Sequence, residues 1–152
     1  MMISERILKW GMRFYPPLFF QRIWVQTIEK NFTGVRVKII KSLFNINYNK
    51  SIFGGTIFSA TDPFYPVCFY QILTKKGYKV LLWTKSSEIN FIKPGNSSLY
   101  FSISITETEI NEVCKELEES GKFIKSYSIE IVNSKKELCA SVMNEVYIRK
   151  LL

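Results

Sequence analysis

"FGGTIFSATDPFYPVCFYQIL", Phe53 to Leu73, decides how the rest of the chain is read. Apolar residues dominate it and two glycines stand at its front, which is the pattern of a buried helix. Inside it lie Asp62, Pro63 and Pro66. One proline within a helix costs about 3 kcal/mol, so two would remove much of the roughly 5–15 kcal/mol by which a domain is stable. An ionised carboxylate on an apolar face adds a desolvation cost. The segment therefore predicts a long central helix, kinked where Pro63 and Pro66 cannot donate to the carbonyls of Ser59 and Asp62. Both prolines flank the only acid of the segment, so the bend is expected to form part of a pocket.

The flanks of this helix read mainly as strands. Ile23–Glu29 and Val35–Lys41 have strand composition, with Asn31–Gly34 as the turn between them. Tyr78–Lys93 is a long strand, and Pro94–Ser97 is expected to turn it back into Ser98–Ile105. Thr106 and Glu109 resemble a capping box, and Ile110, Val113, Cys114 and Leu117 follow at helical spacing until Ser120-Gly121. Lys122–Val132 and Glu137–Arg149 make a last hairpin. At the front, Ser4 caps a short helix that Tyr15-Pro16-Pro17 ends, giving a helical extension over residues 1–20. That helix is expected to pack on the domain's own surface. The other reading is a membrane-surface helix with Lys9 and Arg13 beside lipid headgroups. One long helix with about six strands predicts a single α+β domain over residues 1–152, a curved antiparallel sheet wrapped around the helix.

Composition narrows the chemistry. A chain of 152 residues with 47% hydrophobic residues can bury a real core. The absence of histidine excludes Ser-His-Asp and Cys-His catalysis and His-ligated metal sites, and no metal is expected. A net charge of +8 suits an anionic partner, but the basic residues are scattered singly without a nucleic-acid-binding motif, so no nucleic acid is expected. Cys68, Cys114 and Cys139 are an odd number without close pairing, which fits reduced thiols and a cytoplasmic protein. No signal peptide is read at the N-terminus, and Asp62, Pro63, Pro66 and Gln71 argue against a lipid-facing span.

The architecture resembles the hotdog fold, and particular residues sharpen the likeness. "FGGTIFSATD" resembles the His-Gly-Gly segment, with an acid seven residues on, of phenylacetyl-CoA-type thioesterases. Phe53 stands at the His position, Gly54-Gly55 at the glycines and Asp62 at the acid. "NYNKSIFGG", "TDPFY", "LLWTKSSEINFIKPG" and "VYIRK" are similar to a family of thioesterase-like domains within that superfamily. The resemblance implies an acyl-CoA or other acyl thioester as substrate, with coenzyme A as part of it and no separate cofactor. It implies that Asn47 is an active-site amide, that the Gly54 N–H polarises the thioester carbonyl, that Asp62 is general base or nucleophile, and that Thr84 positions water. Phe53 is the departure, since it removes a hydrogen-bonding side chain. The resemblance also implies a homodimer, or two dimers as a tetramer.

Physical chemistry supports part of this independently. Gly54-Gly55 lets a ligand approach a helix N-terminus, where free N–H groups favour developing negative charge. Asp62 is two turns beyond Gly55, about 10 Å along the axis, too far to serve the same helix's N-terminus. An adjacent antiparallel helix from a second copy resolves this. Phe58, Tyr65, Phe69 and Trp83, with Phe53 and Gly55, are candidates for lining an acyl slot, and Lys85 for pairing with Asp62. Three readings stay open: a thioester hydrolase, a non-catalytic acyl-CoA or lipid-binding module, and a structural dimer in which Asp62 and Lys85 only brace the helix.

Overall fold

β5 (Lys122–Asn133) and β6 (Leu138–Lys150) form a long antiparallel hairpin that is the middle of the molecule. The computed structural model describes residues 3–151. On β6, Val142, Val146 and Ile148 are buried at every second position, so one face of the hairpin belongs to the core. β1 (Ile23–Ile28), β2 (Gly34–Ile39), β3 (Val80–Phe91) and β4 (Leu99–Ser104) complete one antiparallel sheet in the order β1-β2-β4-β5-β6-β3. The expected α+β hotdog architecture, a sheet curved around central helices, is present.

Two expectations need correction. The β3 and β4 segments are not a hairpin: β4 lies between β2 and β5, and β3 pairs with β6 at the far edge. The Pro94-Gly95 segment crosses between them, held where the Ile92 and Lys93 N–H groups donate to Cys139 O at 2.8 and 3.0 Å. The central helix is also not one kinked helix but two, α3 (Gly54–Thr61) and α4 (Phe64–Lys75), broken at Asp62-Pro63. Pro66 is the third residue of α4, where its missing N–H would have had no intrahelical acceptor, so the break removes most of its cost.

α4 fills the concavity of the sheet. Phe64 meets Phe101 edge-on at 5.9 Å between centroids, and Tyr65 stacks on Tyr127 at 4.2 Å. Burial pushes the Tyr65 hydroxyl and the Cys68 thiol each up to about 12. α5 (Glu107–Ser120) begins with the expected reciprocal cap, the Glu109 N–H on Thr106 Oγ1 and the Thr106 N–H on Glu109 Oε2. It ends at Gly121, whose φ of +75° few side chains tolerate.

The front of the chain covers the β1 edge. α1 (Glu5–Phe14) starts at Ser4, whose Oγ accepts from the Ile7 N–H, and α2 (Pro16–Phe19) follows the Tyr15 turn. Arg13 is buried, with its guanidinium carbon 4.4 and 4.2 Å from the ring centroids of Trp10 and Trp24. Its Nε donates to Val25 O at 2.8 Å and its Nη2 to Gln26 O at 3.4 Å. Arg13 thus holds β1 carbonyls, which packs α1 on the domain's own surface as expected and takes Arg13 away from the headgroup position of the alternative reading. A bulge interrupts the β1 pairing between Val25 and Thr27.

β3 has its own bulge between Thr84 and Ser86. Lys85 is the extra residue, so the inward positions run Leu82, Thr84, then Ser87 and Ile89.

Candidate functional site

The two ends of α3 carry the residues of interest, and different parts of the chain hold them. Asn45 organises the front end. It is buried, and its Nδ2 donates to Gln21 O and Ile40 O at 2.8 Å each, while its carbonyl accepts the Phe53 N–H at 2.8 Å. Asn47 then accepts from the Ser51 N–H and hydroxyl, both at 3.1 Å, which shapes the loop into α3.

No side chain caps α3. Its first intrahelical bond runs from the Thr56 N–H to Phe53 O at 2.9 Å, so helix geometry leaves the Gly54 and Gly55 N–H groups without intrahelical acceptors. Two aromatic rings explain the glycines. A Cβ on Gly54 would stand 2.9 Å from Cζ of Phe91, and one on Gly55 would run into the ring of Phe53. Gly54 opens onto a cleft of about 380 Å³ lined by Asn47, Ile57, Phe91, Lys93 and Gly95 among others. At its rim Lys93 Nζ meets Glu137 Oε1 at 3.0 Å. Hydrogen bonds from Asn133 and then Lys93 hold the Glu137 carboxyl below the usual carboxylate range.

At the other end, α3 stops at Thr61 and Asp62 is exposed. In a continuous helix the Asp62 carbonyl would receive the N–H of residue 66, which is proline. The Thr84 hydroxyl takes that place, donating to Asp62 O at 3.0 Å. Thr61 O accepts from Asn144 Nδ2 at 2.9 Å, and Asn144 Oδ1 accepts from the Ser87 hydroxyl. β3 and β6 therefore hold the break through side chains and fix where Asp62 leaves the helix.

Asn47 and Gly54 thus stand at one cleft, and Asp62 and Thr84 stand together at the opposite end of α3. The cleft does not reach Asp62, so the bend does not line it. Phe53, just before α3, and Phe58 on it are exposed, as part of a surface a ligand can touch. Tyr65 and Phe69 are buried against Tyr127 and are core residues. Trp83 alternates with inward Leu82 and Thr84, so it lies on the outer face of the sheet, its ring tilted against Tyr147. Lys85 does not pair with Asp62, because the bulge turns it outward to Glu145 at 3.4 Å.

Sequence reasoning missed Asn45, Ser87 and Asn144. Asn144 had a readable signal, since a lone amide interrupts Val142, Val146 and Ile148 on the buried register of β6.

No family model and no curated protein sequence matches the chain. Solved structures do. The "Probable Thioesterase" PA5026 of Pseudomonas aeruginosa is 14% identical, with 99% of each chain covered and a TM-score of 0.87. Thioesterase HI1161 of Haemophilus influenzae is 10% identical over 100% of this chain and 94% of that one, with a TM-score of 0.72. The Escherichia coli PaaI protein, from the phenylacetic acid degradation operon, is 14% identical over 94% and 97%, with a TM-score of 0.57. This chain shares their hotdog fold.

Proposed function

We propose that the chain is an acyl thioester hydrolase that works as a homodimer. The observation that carries this reading is the uncapped start of α3, where Gly54, whose N–H has no intrahelical acceptor, lines a cleft with Asn47. A thioester carbonyl placed there would gain stabilisation of its developing oxyanion from a fixed donor and the helix dipole. The base is Asp62 of the second copy, brought opposite the glycines by an antiparallel α3. Its carboxylate takes a proton from water, the water oxygen bonds to the carbonyl carbon, and the tetrahedral intermediate expels the thiolate, which takes up a proton. Thr84, already hydrogen-bonded to the Asp62 main chain, keeps hydroxyl lone pairs for that water. Phe53 and Phe58 border the acyl group, and the substrate class is acyl-CoA or a related acyl thioester, with no further cofactor. Unpaired Cys68, Cys114 and Cys139 fit a cytoplasmic setting. Among the described residues no helix is long and apolar enough to cross a membrane.

A second reading rests on Phe53. Its exposed ring on Gly55 supplies no hydrogen bond where the resembling enzymes carry His, which suits a module that binds acyl-CoA without hydrolysing it.

The test is thiol release from short, medium, long and aryl acyl-CoAs by the wild type and Asp62→Asn. Hydrolysis predicts a loss of at least a hundredfold in the variant, with dimer and melting temperature retained. Saturable binding without turnover replaces the hydrolase by the binding module.

A further inference from the structure

We infer that the α1–α2 face docks on an anionic lipid bilayer. The inference goes beyond hydrolysis and stands on a separate part of the molecule.

Ile7, Trp10 and Phe14 follow one another along the outer side of α1, and Phe20 continues the face past α2; these four are between 44% and 66% exposed. The rings form one continuous run. Trp10 and Phe14 have centroids 6.0 Å apart, Phe14 and Phe19 6.0 Å, and Phe19 and Phe20 5.4 Å. Arg22 joins the run to Phe44, with its guanidinium carbon 5.9 Å from the Phe19 centroid and 4.7 Å from that of Phe44. An exposed aromatic patch of this extent marks an interaction surface.

Charge selects the partner. The first 50 residues contain nine Lys and Arg against two Asp and Glu, and so carry seven of the eight net positive charges. Arg6, Lys9 and Arg22 border the aromatic face, while Glu5, the one acid before Glu29, is held by Lys75 and the Asn31 N–H. Aromatic side chains with a basic rim are the composition of an interfacial helix, in which rings enter the headgroup boundary and cations meet anionic lipid.

The face also adjoins the cleft. Phe44 precedes Asn45, which bonds both to Gln21 O, just after α2, and to the Phe53 N–H that leads into α3. A membrane under the aromatic face would lie one loop away from the Gly54 opening.

The test is co-sedimentation of the full chain with vesicles of phosphatidylcholine alone and of phosphatidylcholine with about one-third phosphatidylserine. The expected result is at least tenfold tighter binding to the anionic vesicles, weakened by salt. Phe14→Glu with Phe20→Glu should remove binding by tenfold or more at unchanged melting temperature. Arg6→Ala with Lys9→Ala should weaken it by roughly fivefold per charge. Equal binding to both vesicles, no binding to either, or full binding by the Phe14→Glu/Phe20→Glu variant overturns the inference. So does self-association of the wild type that the same variant abolishes, since a second copy then covers the face. Vesicle binding is read without substrate. Turnover of soluble acyl-CoA by that variant tests the hydrolase reading separately.

Discussion

The sheet has two edges, and the chain treats them differently. β1 is six residues long, carries a bulge, and lies under α1, whose Arg13 takes the carbonyls of Val25 and Gln26. β3 is twelve residues long, and among the described residues no strand pairs with its outer side. It also shows Leu81 and Trp83 to solvent. Proteins blunt exposed edges with short strands, bulges or a covering element, and the β1 edge shows all three. A long edge left open is a template for another strand. The chain thus closes one side of its sheet with its own residues and leaves the other open, and a second copy pairing there would be the one that the proposed mechanism requires for its base.

The largest expected effect attacks the open edge. Leu81→Lys with Trp83→Lys places like charges across any β3–β3 pairing, and sedimentation should then show a monomer, with turnover reduced at least a hundredfold. Gln26→Lys on the closed edge should change neither by more than twofold. A dimer that survives the first pair, or is lost with the second, breaks the comparison. Next, Arg13→Ala leaves β1 carbonyls unpaired under α1 and should cost about 2–4 kcal/mol in urea unfolding, without dissociating the dimer.

A smaller loss is expected on the β3 side. Asn144→Ala strips Thr61 O and Ser87 of their partner and should cost about 1–3 kcal/mol, with a fall in kcat because Asp62 is no longer held. The smallest effect is a pH dependence. Bonds from its own backbone and from the Asn31 N–H, with Lys75 nearby, lower the pKa of Glu5 from 4.5 despite partial burial. A folded-state pKa below the unfolded one gives stability that is present above pH 4.5 and lost as pH falls through the lowered value. Glu5→Gln should therefore lower stability slightly near neutrality and converge with the wild type at acid pH, flattening that part of the acid limb of a stability curve.

Local patterns made most elements readable. The Thr106–Glu109 cap, the Gly121 stop and the β1–β2 and β5–β6 hairpins depend on neighbouring residues, and each is where its spacing put it. Strand partners beyond a hairpin are not local. Alternation marked the β3 and β4 segments, but could not tell that the Pro94-Gly95 connection crosses the sheet. The apolar helical pattern likewise ran straight through Asp62, and only the prolines warned of a break. At the candidate site, Asn47 and Gly54 are seven residues apart and line one cleft, but only the resemblance, not a spacing rule, had singled out Asn47. Asn144 is 83 residues from the Thr61 carbonyl it holds, and no spacing rule connects them.

The Lys85 bulge means that β3 is written in two reading frames. Before it, even-numbered residues face the helices; after it, odd-numbered ones do. Deleting Lys85 alone would close the bulge into a regular ladder, with Thr84 followed directly by Ser86 opposite Val146 and Glu145, and would leave Ser87 and Ile89 facing inward. The bulge is therefore a place in β3 where a residue can be lost without turning the buried face outward, and when this strand is aligned with that of another hotdog chain, a one-residue gap belongs there.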